Sequence, residues 1–575
     1  MEGGRTVTKT YAVAVPLLSL WLLGWIAFSW AAVQDDAFIH LRYAENLAEH
    51  HFITYDGVHP NYGASSLLYV SVLAGLRGMT SSADLPRAAS TAMHLLIFAV
   101  LALGFAVGLP AGARLARGAA LVLLALVCVP SAVRWLDDGM ETGAAVLLVT
   151  VLAWLIHGQS AGPMTGDDAI SPGRYLGLAL LGFCAVLLRT ELVLLCGFGF
   201  LILALRRGGG AGGRLSGWLL GRRSVLRGSH LLAGGGAAIC MIVSTMHFLL
   251  PDTAVAKSHG LAHWFNPIHD TAWTLGGAFS FGFGLFVFWL LTLLLVRVHL
   301  GRLELSTVLA NAFFPVVLVL ATLRGQEIQG VRYFAWTLFF PLTWNILELG
   351  RTPDSGASVR WTHRRKAWLL GAFLVVLAVE TPIEARMMYR VLTGRSATVR
   401  SFESAHLDVL KARRGIASDI GYIGYFTGAD ICDLAGLVNG RAAALTSSLE
   451  RARSCMRTDP DFLFVDASQL VPLMGMADLS QWKVCGSYEF TNVTSVDMHY
   501  LVVRPGLVAE ACSATARLPE SIESVGPLNG PLPGPAIASR SGSSSGSVTG
   551  SVTGSMTGPS GPSTLDVHDA WPPGP

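Results

Sequence analysis

Two adjacent carboxylates, Asp35 and Asp36, follow the first apolar run, within Gln34-Asp35-Asp36-Ala37-Phe38-Ile39-His40-Leu41-Arg42-Tyr43-Ala44-Glu45-Asn46. A carboxylate held at a surface takes a proton from a hydroxyl, so this pair is the candidate general base. The bland alternative for an Asp at such a place is a helix N-cap. A second acidic group, Asp137, Asp138 and Glu141, lies between two apolar runs and is more acidic than a short loop needs. Arg189-Thr190-Glu191 interrupts another apolar stretch, where ionisable residues are either paired or functional. Lys257 and His259 follow Pro251-Asp252-Thr253, and Arg324 and Arg332 flank a further loop. Lys and Arg suit a phosphate leaving group. Their ordinary alternative is snorkelling to an interface.

The elements that must position these groups follow from composition. The chain has 575 residues, 52% hydrophobic and only 14% charged, with a net charge of +3. Its mean hydropathy is +0.51. These values exclude a soluble enzyme, a disordered chain and a nucleic-acid module. They point to a mainly α, polytopic membrane protein. A span needs about 20 apolar residues. Clear candidates lie near 11–33, 88–109, 115–135, 140–158, 228–249, 271–297, 305–323, 330–349 and 366–383. Residues 65–79 are short for a span, and 174–205 is one tilted helix or a hairpin. The total is about eleven.

Arg-rich loops at 206–230 and 351–366, with Arg5 and Lys9, mark the cytoplasmic side. Residues 34–64, 250–270 and everything after about 384 then face outward. Between 65 and 205 the parity has two solutions. Either 65–79 spans and 174–205 crosses once, or 65–79 is interfacial or re-entrant and 174–205 is a hairpin. Arg114 and Arg117 favour the second, which puts their loop inside. Residues 37–48 read as an amphipathic helix along the membrane, with Phe38, Leu41 and Leu47 on its apolar side and Arg42, Glu45 and Glu49 on its wet side.

The chain divides into a membrane module at 1–383, an outward α/β domain at 384–510 and a Gly/Ser/Pro-rich tail at 511–575, expected to be disordered. Period-2 patterning places strands at Asp461–Asp466 and His499–Val503. Cys432, Cys455, Cys485 and Cys512 fall in the outward domain, where Cys432–Cys455 is a candidate disulfide by compartment and proximity.

The acids and the out-of-place bases thus sit on one side of the membrane. Carboxylates beside a phosphate clamp of Lys257, Arg324 and Arg332 suggest sugar transfer from a lipid phosphate. The motifs resemble those of the GT-C superfamily of integral-membrane glycosyltransferases, nearest to the branch of the mycobacterial terminal arabinofuranosyltransferase. The likeness rests on Asp35-Asp36-Ala37-Phe38-Ile39 with Arg42, Tyr43, Ala44, Asn46 and Leu47, and on Gly139-Met140-Glu141-Thr142. It rests also on Arg189-Thr190-Glu191, Pro251-Asp252-Thr253 with Ala256-Lys257, and Arg332-Tyr333. In the outward domain the matching run is Asp419, Gly421, Gly424, Tyr425, Asp433, Leu434, Gly436 and Leu437. Two departures stand out. Asn61-Tyr62-Gly63-Ala64-Ser65-Ser66-Leu67 replaces the family's usual segment before the second span, and Thr190 replaces a proline.

The resemblance implies an inverting transferase that moves a sugar, such as arabinose, from a polyprenyl-phosphate donor to a cell-envelope glycan, glycolipid or glycoprotein. Its setting is the outer face of a bacterial inner membrane. Asp35 or Asp36 is the base. Arg42, Tyr43, Asn61, Tyr62, Asp138, Glu141, Arg189, Glu191 and His259 are the supporting residues. No cofactor is firmly implied. A divalent cation, Mg or Mn, would fall to Asp35, Asp36 and Glu141. The competing reading is a transporter or flippase of a lipid-linked sugar, which predicts ionisable groups near the membrane midplane.

Overall fold

The computed structural model describes residues 2–77, 83–110, 113–161, 172–205, 222–246, 251–252, 255, 267–301, 303–323, 332–351, 363–491, 496–515 and 520–521. The described chain is mainly helical, with a small mixed sheet in its C-terminal region.

The bundle begins with α1 (Glu2–Phe28), α2 (Asp35–His50), α3 (Leu67–Arg77), α4 (Leu85–Gly108) and α5 (Arg114–Val127). It continues with α6 (Pro130–Leu136), α7 (Thr142–Ala161), α8 (Pro172–Leu188) and α9 (Val193–Leu205). Then come α10 (Arg222–Met246), α11 (Pro267–Leu300), α12 (Leu305–Leu323), α13 (Arg332–Leu349) and α14 (His363–Ser404). Among the described residues, Leu85–Gly108 and Gly228–Met246 are long and apolar enough to cross a membrane by length and composition. The outer faces of the helices carry bare apolar side chains: Leu20, Leu103, Val107 and Val375 are all more than 60% exposed.

The run 174–205 is two helices, α8 and α9, broken at Arg189. Both pack on α10, and the glycines that let them approach give their directions. A Cβ on Gly182 or on Gly199 would meet Leu231, whereas one on Gly235 would meet Val186 and Cys196. One turn further along α10 therefore means a later residue of α8 but an earlier residue of α9. The two run in opposite senses, as a hairpin with Arg189-Thr190-Glu191 at its tip. The expected break in a continuous apolar stretch is thus a helix end. Helix α3, with 11 residues, is about 16 Å long, short of a bilayer's hydrocarbon core.

The C-terminal region holds β1 (Arg414–Ala417), α15 (Ile420–Thr427), β2 (Asp430–Asp433), α16 (Arg441–Ala444), α17 (Ser448–Arg457), β3 (Phe462–Asp466) and α18 (Ala467–Met474). These are followed by β4 (Lys483–Thr491), β5 (Val496–Val503), α19 (Val508–Ala514) and β6 (Glu520–Ser521). The sheet order is β2-β1-β3-β5-β4-β6. Strand β1 runs parallel to β2 and β3, while β5 is antiparallel to β3 and β4. Both strands read from period-2 patterning are present. Cys432 is bonded to Cys455 as expected, and Cys485 to Cys512, so the domain runs past 510 into the stretch expected as disordered tail, where α19 and β6 also belong to it.

Alternation in β3 gives the sheet two cores. Leu463 and Val465 pack with Leu470 and Leu473 of α18 on one face. Phe462 and Phe464 face the other way and join the core of the bundle. Phe402 of α14 seals that junction, with its ring 4.4 Å from Tyr488 and 5.4 Å from Tyr422. Helix α14 is continuous through residue 383, because its apolar stretch ends there but its helix does not.

Candidate functional site

Helix α2 carries the Asp pair in its first turn, where carboxylates complement the helix dipole. It ends at His51, whose left-handed backbone (φ 64°) accompanies an N–H donated to Leu47. The expected helix forms, with Phe38 and Leu41 buried and Arg42, Glu45 and Glu49 less so, but it is packed on more sides than its pattern suggests. Ala37, Phe38, Ile39, His40, Leu41, Tyr43, Ala44 and Asn46 are all buried. Glu45, read as wet, is drawn in by Arg77, with Arg42 3.9 Å away. Burial raises the pKa of Glu45 although both guanidiniums oppose it.

Asp35 and Asp36 have different surroundings. One carboxylate oxygen of Asp35 accepts the N–H of Gly421 (2.9 Å), the other that of Tyr422 (2.6 Å). These are the second and third residues of α15, whose amides an N-cap side chain ordinarily takes. The residue at the N-cap is Asp419, and its side chain makes no such bond. Asp35 therefore caps α15 in trans. The contact is close because two glycines permit it. A Cβ on Gly421 would stand 1.9 Å from the Asp35 carbonyl oxygen, and one on Gly424 1.9 Å from the Tyr55 hydroxyl. Tyr55 donates to the Ile420 carbonyl (2.6 Å), and Tyr422 donates to that of Val33 (2.6 Å). Burial first, then the nearby Asp419 and Asp36, raise the pKa of Asp35, against the two amides. The Asp36 carboxylate accepts from the Gln34 amide at 3.3 Å.

The remaining motifs meet one turn along. His40 Nδ1 lies 3.0 Å from the Asp36 carbonyl, while its Nε2 lies 3.3 Å from the Ser65 hydroxyl and 3.8 Å from Glu141. Glu141 pairs with Arg189 at the hairpin tip (3.2 Å), and Arg189 lies 3.8 Å from Glu191 and 5.9 Å from the Trp336 ring centre. Asp138 turns the loop before them. Its carboxylate accepts the Met140 N–H and its carbonyl accepts the Gln34 N–H, both at 3.0 Å. Gly139, at φ +88°, leaves no room for a Cβ against Ala37 and Val33. Asp137 is paired with His94 at 3.0 Å.

Tyr43, Asn61 and Tyr62 shape the following segment. The Tyr43 hydroxyl donates to Asn61 and accepts the Gly63 N–H (2.9 Å). Tyr62 and Asp252 bond each other, Tyr62 N–H to the carboxylate (3.1 Å) and Asp252 N–H to the carbonyl (2.6 Å). This joins two loops that are 190 residues apart. Lys257, His259 and Arg324 lie outside the described residues, and Arg332 is described only as the first residue of α13.

The metal set Asp35, Asp36 and Glu141 is not assembled. Asp35 spends its oxygens on amides and Glu141 faces Arg189, and no group of three or more His, Cys, Asp or Glu among the described residues converges as a metal site. His40 and His499 join the site as residues to which the motifs assign no role, whereas Ser65 lies in the Asn61–Leu67 run that departs from the family's usual segment. Of these, His40 is legible as the residue four after Asp36 on a helix. The match run Asp433–Leu437 has an internal role. The buried Asp433 carboxylate takes the amides of Ala435, Leu437 and Val438, and burial pushes its pKa up to about 6.

Comparison with known protein families finds no family model that matches the chain, and comparison with characterised proteins finds no match.

Proposed function

We propose that the chain is a polytopic membrane protein of about eleven spans that works as an inverting glycosyltransferase at the outer face of a bacterial inner membrane. The donor is a polyprenyl-phosphate sugar, such as an arabinose, and the acceptor a cell-envelope glycan, glycolipid or glycoprotein. One observation carries the reading. Four segments far apart in sequence, around Asp36, Ser65, Glu141 and Arg189, converge on one buried polar site beside the C-terminal domain. The large apolar side chains exposed on the outer faces of the helices suit lipid. The hairpin suits the parity in which Arg114 and Arg117 lie inside.

In this reading Asp36 is the general base, because Asp35 is committed to α15. Asp36 takes the proton of an acceptor hydroxyl as that oxygen attacks the anomeric carbon. The bond from that carbon to the phosphate oxygen breaks, its electron pair leaves with the polyprenyl phosphate, and configuration inverts. Lys257, Arg324 and Arg332 are assigned to the leaving phosphate, by charge and motif alone. Arg189, held by Glu141, supports the floor of the site.

The test is purified protein in lipid nanodiscs with radiolabelled polyprenyl-phosphate sugars and glycan acceptors. Sugar transfer with equal release of lipid phosphate is expected. Movement of intact lipid-linked sugar across proteoliposomes, without cleavage, would replace the enzyme with a transporter.

A further inference from the structure

Asp419 occupies a position that its own helix does not use. As the N-cap residue of α15 it ordinarily takes the amides of Gly421 and Tyr422, but Asp35 has them. The Asp419 side chain turns instead to His499 on β5, 2.7 Å from Nε2, and stays 47% exposed. His499 is itself 3% exposed, between the rings of Phe490 (4.3 Å) and Phe464 (5.5 Å). Its Nδ1 has no hydrogen-bond partner. With no acceptor at Nδ1, the surroundings favour the tautomer protonated at Nε2, which donates to Asp419. The Ser418 hydroxyl is 3.4 Å from the same nitrogen. A fixed imidazole thus holds a half-exposed carboxylate two residues from the Gly421 amide that bonds Asp35.

This arrangement selects one kind of ligand. A third carboxylate beside Asp35 and Asp36 repels a phosphate, so it does not serve the donor. Ionised carboxylates are acceptor-only groups that pair with hydroxyls. Asp419 also comes from the C-terminal domain, at the start of the helix that docks on Asp35.

We infer that Asp419 is a binding residue for hydroxyls of the sugar acceptor and that His499 is its positioning residue, so that the C-terminal domain completes the active site. The inference rests on the glycosyl-transfer reading and assigns the acceptor side of that site.

The experiment uses the full chain in nanodiscs, with octyl glycosides (arabinofuranoside, mannoside and galactoside) as acceptor probes and radiolabelled polyprenyl-phosphate sugars as donors. For Asp419→Asn, acceptor KM is expected to rise about tenfold to a hundredfold, the range of one hydrogen bond to a charged group. Donor KM should stay put. His499→Phe, which keeps the ring but removes the donor, should reproduce that rise, and His499→Gln, which restores an N–H, should recover part of it. Saturation-transfer NMR of the same glycosides reads binding without turnover. If the wild-type chain binds a glycoside that Asp419→Asn does not, yet transfers no sugar, the binding site stands and the transferase reading falls. If transfer proceeds and Asp419→Asn keeps the wild-type acceptor KM, the inference falls alone. A wild-type chain that binds none of the glycosides overturns it as well.

Discussion

Gly421→Ala is the sharpest test of how the C-terminal domain is seated, because two effects of opposite sign compete. In an exposed helix this change stabilises by about 1 kcal/mol through backbone entropy. Here the new Cβ would lie 1.9 Å from the Asp35 carbonyl oxygen and 2.6 Å from its carbon. Both are backbone atoms, so no side chain can swing aside. Ordinary contact begins near 3.4 Å, so α15 must retreat by about 1.5 Å. That retreat carries the amides of Gly421 and Tyr422 out of reach of Asp35. Hydrogen bonds to a charged group contribute roughly 1.5–3 kcal/mol each. Losing both costs roughly 3–6 kcal/mol, against the gain of about 1. The net loss, roughly 2–5 kcal/mol, should show as faster hydrogen exchange of the amides at 421–427 and a lower Tm. Wild-type protection together with a raised Tm would refute the trans-cap. Gly424→Ala supplies the contrast, since its Cβ meets only the tip of Tyr55. Adding Tyr55→Phe should recover part of the Gly424→Ala loss, less the Ile420 hydrogen bond that Tyr55 gives up.

Three further outcomes follow from the same geometry. Asp36→Asn should lower kcat about 10²- to 10⁴-fold, the usual contribution of a general base, and leave exchange at Gly421 alone. Asp35→Asn should loosen those amides first, and the reverse pattern would exchange the two roles. Arg189→Met removes the cation 3.2 Å from the buried Glu141 and should cost about 3–5 kcal/mol by thermal unfolding; Glu141→Gln in the same chain should return part of it, and additive losses would mean the pair is not coupled. Asp433, raised from 3.8 to about 6, binds its proton more tightly folded than unfolded. Its loop should therefore gain stability as pH falls through 6, by roughly 3 kcal/mol once below the unfolded value, and Asp433→Asn should flatten exchange of the 435–438 amides across that window.

Local pattern made several elements legible. The period-2 strands and Cys432–Cys455 follow from alternation and proximity, and the charge of Arg114 and Arg117 favoured the hairpin that α8 and α9 form. What escaped depends on contacts across long separations. Glu45 looks solvated from its own helix, but Arg77 arrives from 32 residues away. The Asp419–His499 pair joins a helix start to a strand 80 residues later, with no local sign. Gly421 and Gly424 read only as motif matches, since the crowding that demands them is supplied by Asp35 and Tyr55. The boundary at 383 marks where α14 stops being apolar. Hydropathy reports the surroundings of a helix, not its end.

The adjacency of the two carboxylates has a geometric consequence. Successive residues on a helix point about 100° apart, so Asp35 and Asp36 face different sides of α2. With Asp35 turned to α15, Asp36 points elsewhere, and residue 40, four further on, returns to within about 40° of its direction. That is the side on which His40 meets Ser65 and Glu141. One turn of helix thus seats the C-terminal domain through Asp35 and sets the direction of the proposed base through Asp36. Displacing α15 releases Asp35 and with it the orientation of Asp36. Gly421→Ala should accordingly lower turnover as well as docking, although residue 421 contacts no substrate in the proposed mechanism. A variant that lost docking at full kcat would separate the two functions of that turn.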